Sequence, residues 1–337
     1  MKLHAKALTV CALAIFFLPV LVSSQKASRE EVVKIPPEVK KVMDENLPAR
    51  QAKLDIPFSY VRTLYFPYQA DYYSVFVLKL KNSDLGYLPP ASEEKKKEKG
   101  EEEEETILTC NLDFFFKVYS LDKKGELKGV VKEIYLPYAD QLASADYNPE
   151  EENYYSFGTI FPPGQYLLAA ASATLDLSRI GLIFQEFYLP DPSDFKKSLG
   201  FTPFFFVKSL KRMPSPDTVI NLYKNIFHYS YLEIEPCFEP EFSVNDNLDV
   251  FYYILGGTPS EDMRFSFEFR YTYKKGEEEV VKFEPKVETI PAPIVSVPLQ
   301  LAFKDKKLEP GEYTLEIAVK DKVGRKEGIR TVNFFLK

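Results

Sequence analysis

Apolar and polar residues alternate along most of this chain, and the elements they predict are strands. The pattern is cleanest near the end, where Tyr313, Leu315, Ile317 and Val319 alternate with polar residues. A period of two is that of a half-buried strand. Pro310 and Gly311 stand just before it and predict a type II turn, proline fixing φ at the first central position and glycine allowing φ > 0 at the second. Residues 321–326 read as a turn, and 329–336 as a returning strand rich in β-branched and aromatic residues. The same reading predicts strands over 58–66, 72–80, 112–119, 130–136, 154–161, 166–175, 180–189 and 264–273.

The closing pattern occurs twice. P-G-Q-Y-L-L at 163–168 stands before a strand, a turn and a closing strand, as P-G-E-Y-T-L does at 310–315. Upstream, K-K-G-E at 123–126 recurs at 274–277, each time after an aromatic strand, and Val75-Phe76 matches Val250-Phe251. The first copy is longer by 24 residues between these landmarks, the length of the stretch 83–106. Two copies of one sandwich, with one inserted loop, account for the pattern. A tyrosine just after a corner, at the start of the penultimate strand, resembles the tyrosine corner of immunoglobulin-like sandwiches. Tyr166 and Tyr313 are therefore expected to be buried, with their hydroxyls bonded to backbone.

The fold expected is all-β: two tandem immunoglobulin-like antiparallel β-sandwiches joined by a packed aromatic connector. The first sandwich covers 55–190, the connector 191–226 and the second sandwich 227–337. Phe201, Phe204, Phe205, Phe206 and Val207 make the connector too apolar to stay in water, at about 1.5–3 kcal/mol per large side chain. It is expected to pack as an added edge strand or between the domains, making a rigid pair. Residues 217–227 read as a short helix and 229–234 as the first strand of the second domain.

Composition adds a compartment. Lys2 and Lys6 precede a continuous apolar run over 7–22, and Val22 and Ser24 occupy the small-residue positions before Gln25, so 1–24 reads as a signal peptide. The run is short for a spanning helix and contains Pro19. Residues 25–54 form a charged arm, with at most two helical turns over 38–45. Without the leader, 41 basic residues stand against 50 acidic ones, a net charge of about −9. Such a surface repels phosphate backbones and argues against nucleic acid as a partner. The run of charges over 93–105, mostly glutamate, reads as a disordered loop that repels itself.

Candidate chemistry is sparse. His228 is the one histidine left after the leader, set among aromatics beside a strand, which suits a structural role. No G-x-S-x-G elbow, H-E-x-x-H, P-loop or G-x-G-x-x-G occurs. One histidine with Cys110 and Cys237 is too few for the usual zinc ligand sets. An oxidising compartment would permit a bridge between these two cysteines, but they fall in different expected domains and read as buried free thiols. The oxygen-rich Asn245-Asp246-Asn247-Leu248-Asp249 lacks the glycine and distal glutamate of a twelve-residue calcium loop, and an Asx-type turn explains it. In the pairs Tyr72-Tyr73 and Tyr154-Tyr155 one ring enters the core and the other faces outward. Packing between sheets explains the outward ring better than sugar stacking. No catalytic, cofactor or metal residue is assigned.

The segment L-x-P-G-x-Y-x-L-x-I-x-V-x-D at 308–321 is similar to the closing halves of many immunoglobulin-like and fibronectin-like modules. F-T-P-F-F-F-V-K-S-L, Y-L-E-I-E-P and L-D-V-F-Y-Y-I-L-G resemble the sandwich regions of exported bacterial proteins, some carrying a Gly-Trp-x-Thr-Asp domain. The sequence has no tryptophan and lacks that domain. The resemblance spans about 50–337 and implies architecture, not site residues. The function expected is an exported, non-catalytic binding or structural module of the bacterial cell envelope or exterior, periplasmic or extracellular. It would engage a protein partner of the envelope, with no cofactor and no spanning helix after cleavage. The alternatives are an accessory carbohydrate-binding protein and, third, a carboxylate-dependent hydrolase.

Overall fold

A computed structural model describes residues 35–89, 106–217, 219–303 and 307–337. The leader, the acidic run and part of the charged arm lie outside these residues. The chain is all-β with several antiparallel sheets. The helix α1 (Pro37–Asn46) comes first. The strands of the first half are β1 (Lys53–Leu54), β2 (Ser59–Tyr68), β3 (Asp71–Lys81), β4 (Ile107–Leu121), β5 (Leu127–Ala143), β6 (Glu152–Phe161), β7 (Gly164–Thr174) and β8 (Ile180–Leu189). A one-turn helix, α2 (Asn82–Leu85), follows β3. Next come β9 (Gly200–Phe201), β10 (Phe205–Arg212), β11 (Tyr223–Lys224), β12 (Phe227–Tyr229), β13 (Leu232–Cys237) and β14 (Glu241–Phe242). The chain ends with β15 (Asn247–Leu255), β16 (Phe265–Lys275), β17 (Glu278–Lys282), β18 (Lys286–Ile290), β19 (Ile294–Gln300), β20 (Gly311–Asp321) and β21 (Glu327–Leu336).

Four sheets result. Sheet I has the order β1-β8-β7-β4-β5, and sheet II the order β11-β6-β3-β2. Sheet III runs β12-β13-β10-β15-β19, with β9 also on β15, and sheet IV runs β14-β21-β20-β16-β17, with β18 also on β16. The halves share one topology. β8-β7-β4-β5 corresponds to β21-β20-β16-β17, and β6-β3-β2 to β19-β15-β10.

The sheets stack as layers with a core at each junction. Phe76, Phe114, Phe116, Tyr155 and Phe157 lie among the residues between sheets I and II. Tyr252, Phe269, Tyr273, Ile317 and Phe334 fill the space between III and IV. A third core joins II to III: Leu64, Phe66, Val75 and Val77 meet Phe205, Phe227, Tyr229, Ile234, Phe251 and Tyr253. Outside sheet I, Val39 and Met43 of α1 cover Phe115, Leu167, Ala169 and Ala171. The alanines of β7 leave room for the helix. The described part of the arm thus contains a docked helix of ten residues, longer than the two turns expected.

The corner tyrosines meet the expectation. Tyr166 donates to the Pro162 carbonyl at 2.8 Å and Tyr313 to the Glu309 carbonyl at 2.7 Å, and both rings are buried. The glycine before each corner has a different reason from the type II turn. Gly311 has φ +141°, far from that turn's second central position, and Gly164 has no positive φ. At Gly164 an added Cβ would lie 3.2 Å from the Tyr166 ring, so the glycine clears space for it. Replacing Tyr166 or Tyr313 by Phe removes one hydrogen bond and keeps the ring. Each is expected to cost about 0.5–1.5 kcal/mol in urea unfolding. The double variant should show the sum, because the rings lie in separate cores.

Four further expectations change or narrow. The apolar run 204–207 packs between the halves, the second of the two placements expected, and not as an edge strand: it enters β10, an inner strand of sheet III between β13 and β15. Phe205 faces the core between II and III, while Phe204 and Phe206 face sheet IV. No helix forms among the described residues of 217–227, which hold β11 and the start of β12. Residues 229–234 straddle the β12–β13 hairpin, turned at Ser230 with φ +53°. Val75 and Val250 occupy matching strands but opposite sides: Val75 lies between II and III, Val250 between III and IV. A slip of one residue in a strand alignment inverts its faces.

Candidate functional site

His228 lies within reach of two carboxylates. Its Nδ1 is 3.0 Å from Asp217 Oδ2, and its Nε2 is 3.6 Å from Glu233 Oε2. Tyr223 bonds the same Asp217 and packs its ring 4.1 Å from the imidazole. Glu233 also accepts from Lys211 at 3.0 Å, which holds its carboxyl below the usual range. This is an Asp–His pair, but the group facing Nε2 is a carboxylate, where a triad requires a hydroxyl or thiol nucleophile. The cluster ties β12 and β13 to the segment around Asp217.

A second polar cluster closes one end of the first half. Asp140 Oδ2 accepts from Tyr87 at 2.6 Å, Tyr138 at 3.1 Å and Lys224 at 3.0 Å, and Oδ1 from the Gln141 N–H at 2.8 Å. Lys224 comes from sheet II and Asp140 from sheet I, so the pair spans the sandwich. Burial pushes the Asp140 carboxyl up, but the bonds from Tyr87 and Lys224 outweigh it and hold the pKa below its ordinary value. A carboxyl lowered in the folded state stabilises above its unfolded pKa and loses that contribution as pH falls through the folded one. Asp140→Asn should cost about 1 kcal/mol at neutral pH, roughly 2–4 °C in Tm. The gap between the two proteins should close as pH falls below the ordinary carboxylate range. An unchanged gap in a pH series of melting curves would refute this assignment.

The remaining candidates resolve into packing. Asp246 Oδ2 accepts from the Ser243 N–H at 2.7 Å, three residues back, so the carboxylate closes the turn in the sense opposite to the Asx turn expected. Among the described residues no group of three or more His, Cys, Asp or Glu is placed to hold a metal ion. Cys110 and Cys237 are free and buried, and burial pushes both thiols up. Tyr72 and Tyr155 lie between sheets I and II, whereas Tyr73 and Tyr154 pack against the core between II and III. The outward rings are therefore covered by the neighbouring sheet, where a sugar platform needs them open.

A pocket of about 340 Å³ opens at the junction of sheets II, III and IV, and the sequence did not indicate it. Its lining is Phe204, Phe205 and Phe206 at the start of β10; Cys237, Phe238 and Pro240 at and just after the end of β13; Thr331, Val332 and Asn333 of β21; and Arg62 of β2. Arg62 follows a β-bulge: Tyr60 pairs with Leu78 and Arg62 with Val77, leaving Val61 extra. Bulges re-aim the side chains beside them. The guanidinium is half-buried, 5.5 Å from the centre of the Phe238 ring, and donates to the Phe204 carbonyl at 3.5 Å. Burial pushes its pKa down, yet a guanidinium stays charged at any working pH. The lining contains no carboxylate side chain. An isolated arginine within a strand carries no sequence signal, and the bulge that aims it is not written in the residue pattern. Compared with known proteins, the chain matches no family model and no curated protein.

Proposed function

We propose that this chain is an exported, non-catalytic binding or structural module of the bacterial cell envelope or exterior, formed by two tandem immunoglobulin-like sandwiches. The shared strand order of the two halves and the paired tyrosine corners support the architecture. The observation that carries the binding role is the pocket lined by residues of both halves, with a cation at its wall and no acid pair for hydrolysis. The carbohydrate reading loses its best support, because Tyr73 and Tyr154 lie between sheets. A pull-down from bacterial envelope extracts with residues 25–337 as bait should capture a protein reproducibly, while a glycan array stays silent. Glycan hits without protein capture would overturn the reading.

A further inference from the structure

The chain is rich in acid, so an arginine set into the fold has carboxylates to choose from. Arg50 pairs with Glu186, and Arg270 with Glu268 at 2.6 Å. Arg62 differs. No carboxylate of the described residues lies within ion-pair distance of it. Glu239, which follows Phe238 of the pocket wall, is engaged by the Tyr154 hydroxyl at 2.9 Å and stands 4.0 Å from Lys79. Five N–H donors project from a guanidinium. Among the described residues, the hydrogen bond made by this one is the long contact to the Phe204 carbonyl. A half-buried charge without a counterion is costly, and its cost falls when an anion arrives.

The walls say what else that anion carries. Four phenylalanines, Pro240 and Val332 line the pocket with the guanidinium, together with Cys237, Thr331 and Asn333. A bare inorganic anion would leave those apolar surfaces wet. The planar fork of the guanidinium matches a carboxylate through two parallel bonds, and 340 Å³ holds an aromatic ring on a short acid chain.

We propose that the Arg62 pocket binds a monocarboxylate with an aromatic or similarly apolar body, the carboxylate on the guanidinium and the body against Phe204, Phe206 and Phe238. This rests on the binding role above and deepens it. Calorimetric titration of residues 25–337 with hydrocinnamate, and with its neutral amide, tests it without any variant. The acid should bind at one site, and the amide about tenfold or more weakly. Arg62→Met should weaken the acid by a similar factor and leave the amide unchanged, and Arg62→Lys, keeping charge but not the fork, should fall between. Absence of saturable binding by the acid, equal binding of acid and amide, or acid binding indifferent to Arg62 would each overturn the proposal. Envelope capture by the same bait is read separately. If it persists while hydrocinnamate fails, only the pocket assignment falls; if both fail, the binding role falls too.

Discussion

Phe66→Ala is expected to lower stability by about 3–5 kcal/mol, among the largest effects of any single truncation in this chain. Phe66 is fully buried on β2, in the core between sheets II and III. Its ring centre lies 4.6 Å from that of Tyr229, 5.9 Å from Phe227 and Phe251, 6.1 Å from Tyr253 and 6.2 Å from Phe205. All five partners belong to sheet III, so the ring is the plug that sheet II inserts into its neighbour. Truncation leaves a cavity ringed by rigid aromatics, which cannot collapse to fill it. At roughly 2–4 °C per kcal/mol, Tm should fall by about 10 °C. Phe66→Leu, which keeps most of the volume, should cost much less. A Tm for the alanine variant within about 2 °C of wild type would refute the claim that this core couples the halves.

Gly256→Ala is the second large effect, for a different physical reason. Gly256 follows β15 with φ +78°, where an L-residue pays about 1–2 kcal/mol. An added Cβ there would stand 2.4 Å from Phe195 Cβ and 2.7 Å from the Phe195 carbonyl. Phe195 ends a 3-10 turn (Pro192–Phe195) held by a capping box between Asp191 and Asp194. Its ring also covers Gly200, where an added Cβ would meet it at 2.0 Å. The turn has little freedom to retreat, so overpacking adds about 1–3 kcal/mol. Gly125→Ala isolates the backbone part, because Gly125 has φ +80° and open space around it. Gly256→Ala should therefore be clearly the worse of the two in urea denaturation. Equal losses would mean that the close approach to Phe195 carries no energetic weight.

Strands bounded by alternation were legible in the sequence. The range 180–189 read from the residues coincides with β8 (Ile180–Leu189), and both corner tyrosines bond backbone as expected. Legibility failed where a strand has two covered faces. The run 204–207 does not alternate, since Phe205 enters one core and Phe204 and Phe206 another. A strand buried on both sides reads as a plain apolar stretch, which is why the first strand of the second half was read as a connector. The corresponding strands β3 and β15 have the same property, and their alignment slipped by one residue for that reason. The short strand β11 is fixed by β6, a partner some seventy positions earlier, which no local pattern records. The candidate site depends on that same layer junction. Its bulge, its unpaired guanidinium and its walls come from separate stretches of chain, each ordinary by itself.

The docked helix α1 bears on how the chain acquires its shape. Val39 and Met43 are among the first described residues, yet they pack on Ala169, Ala171 and Leu182, well over a hundred positions later. Closing so long a loop costs entropy that only the finished sheet repays. A segment synthesised well before the sheet it packs on therefore settles only after β8 has joined β7. Until then Phe115, Tyr119 and the alanines of β7 form an uncovered apolar face, the kind of surface through which partly folded chains associate. On this geometry the arm acts as a late seal, whose arrival ends the period in which the first half is prone to aggregate.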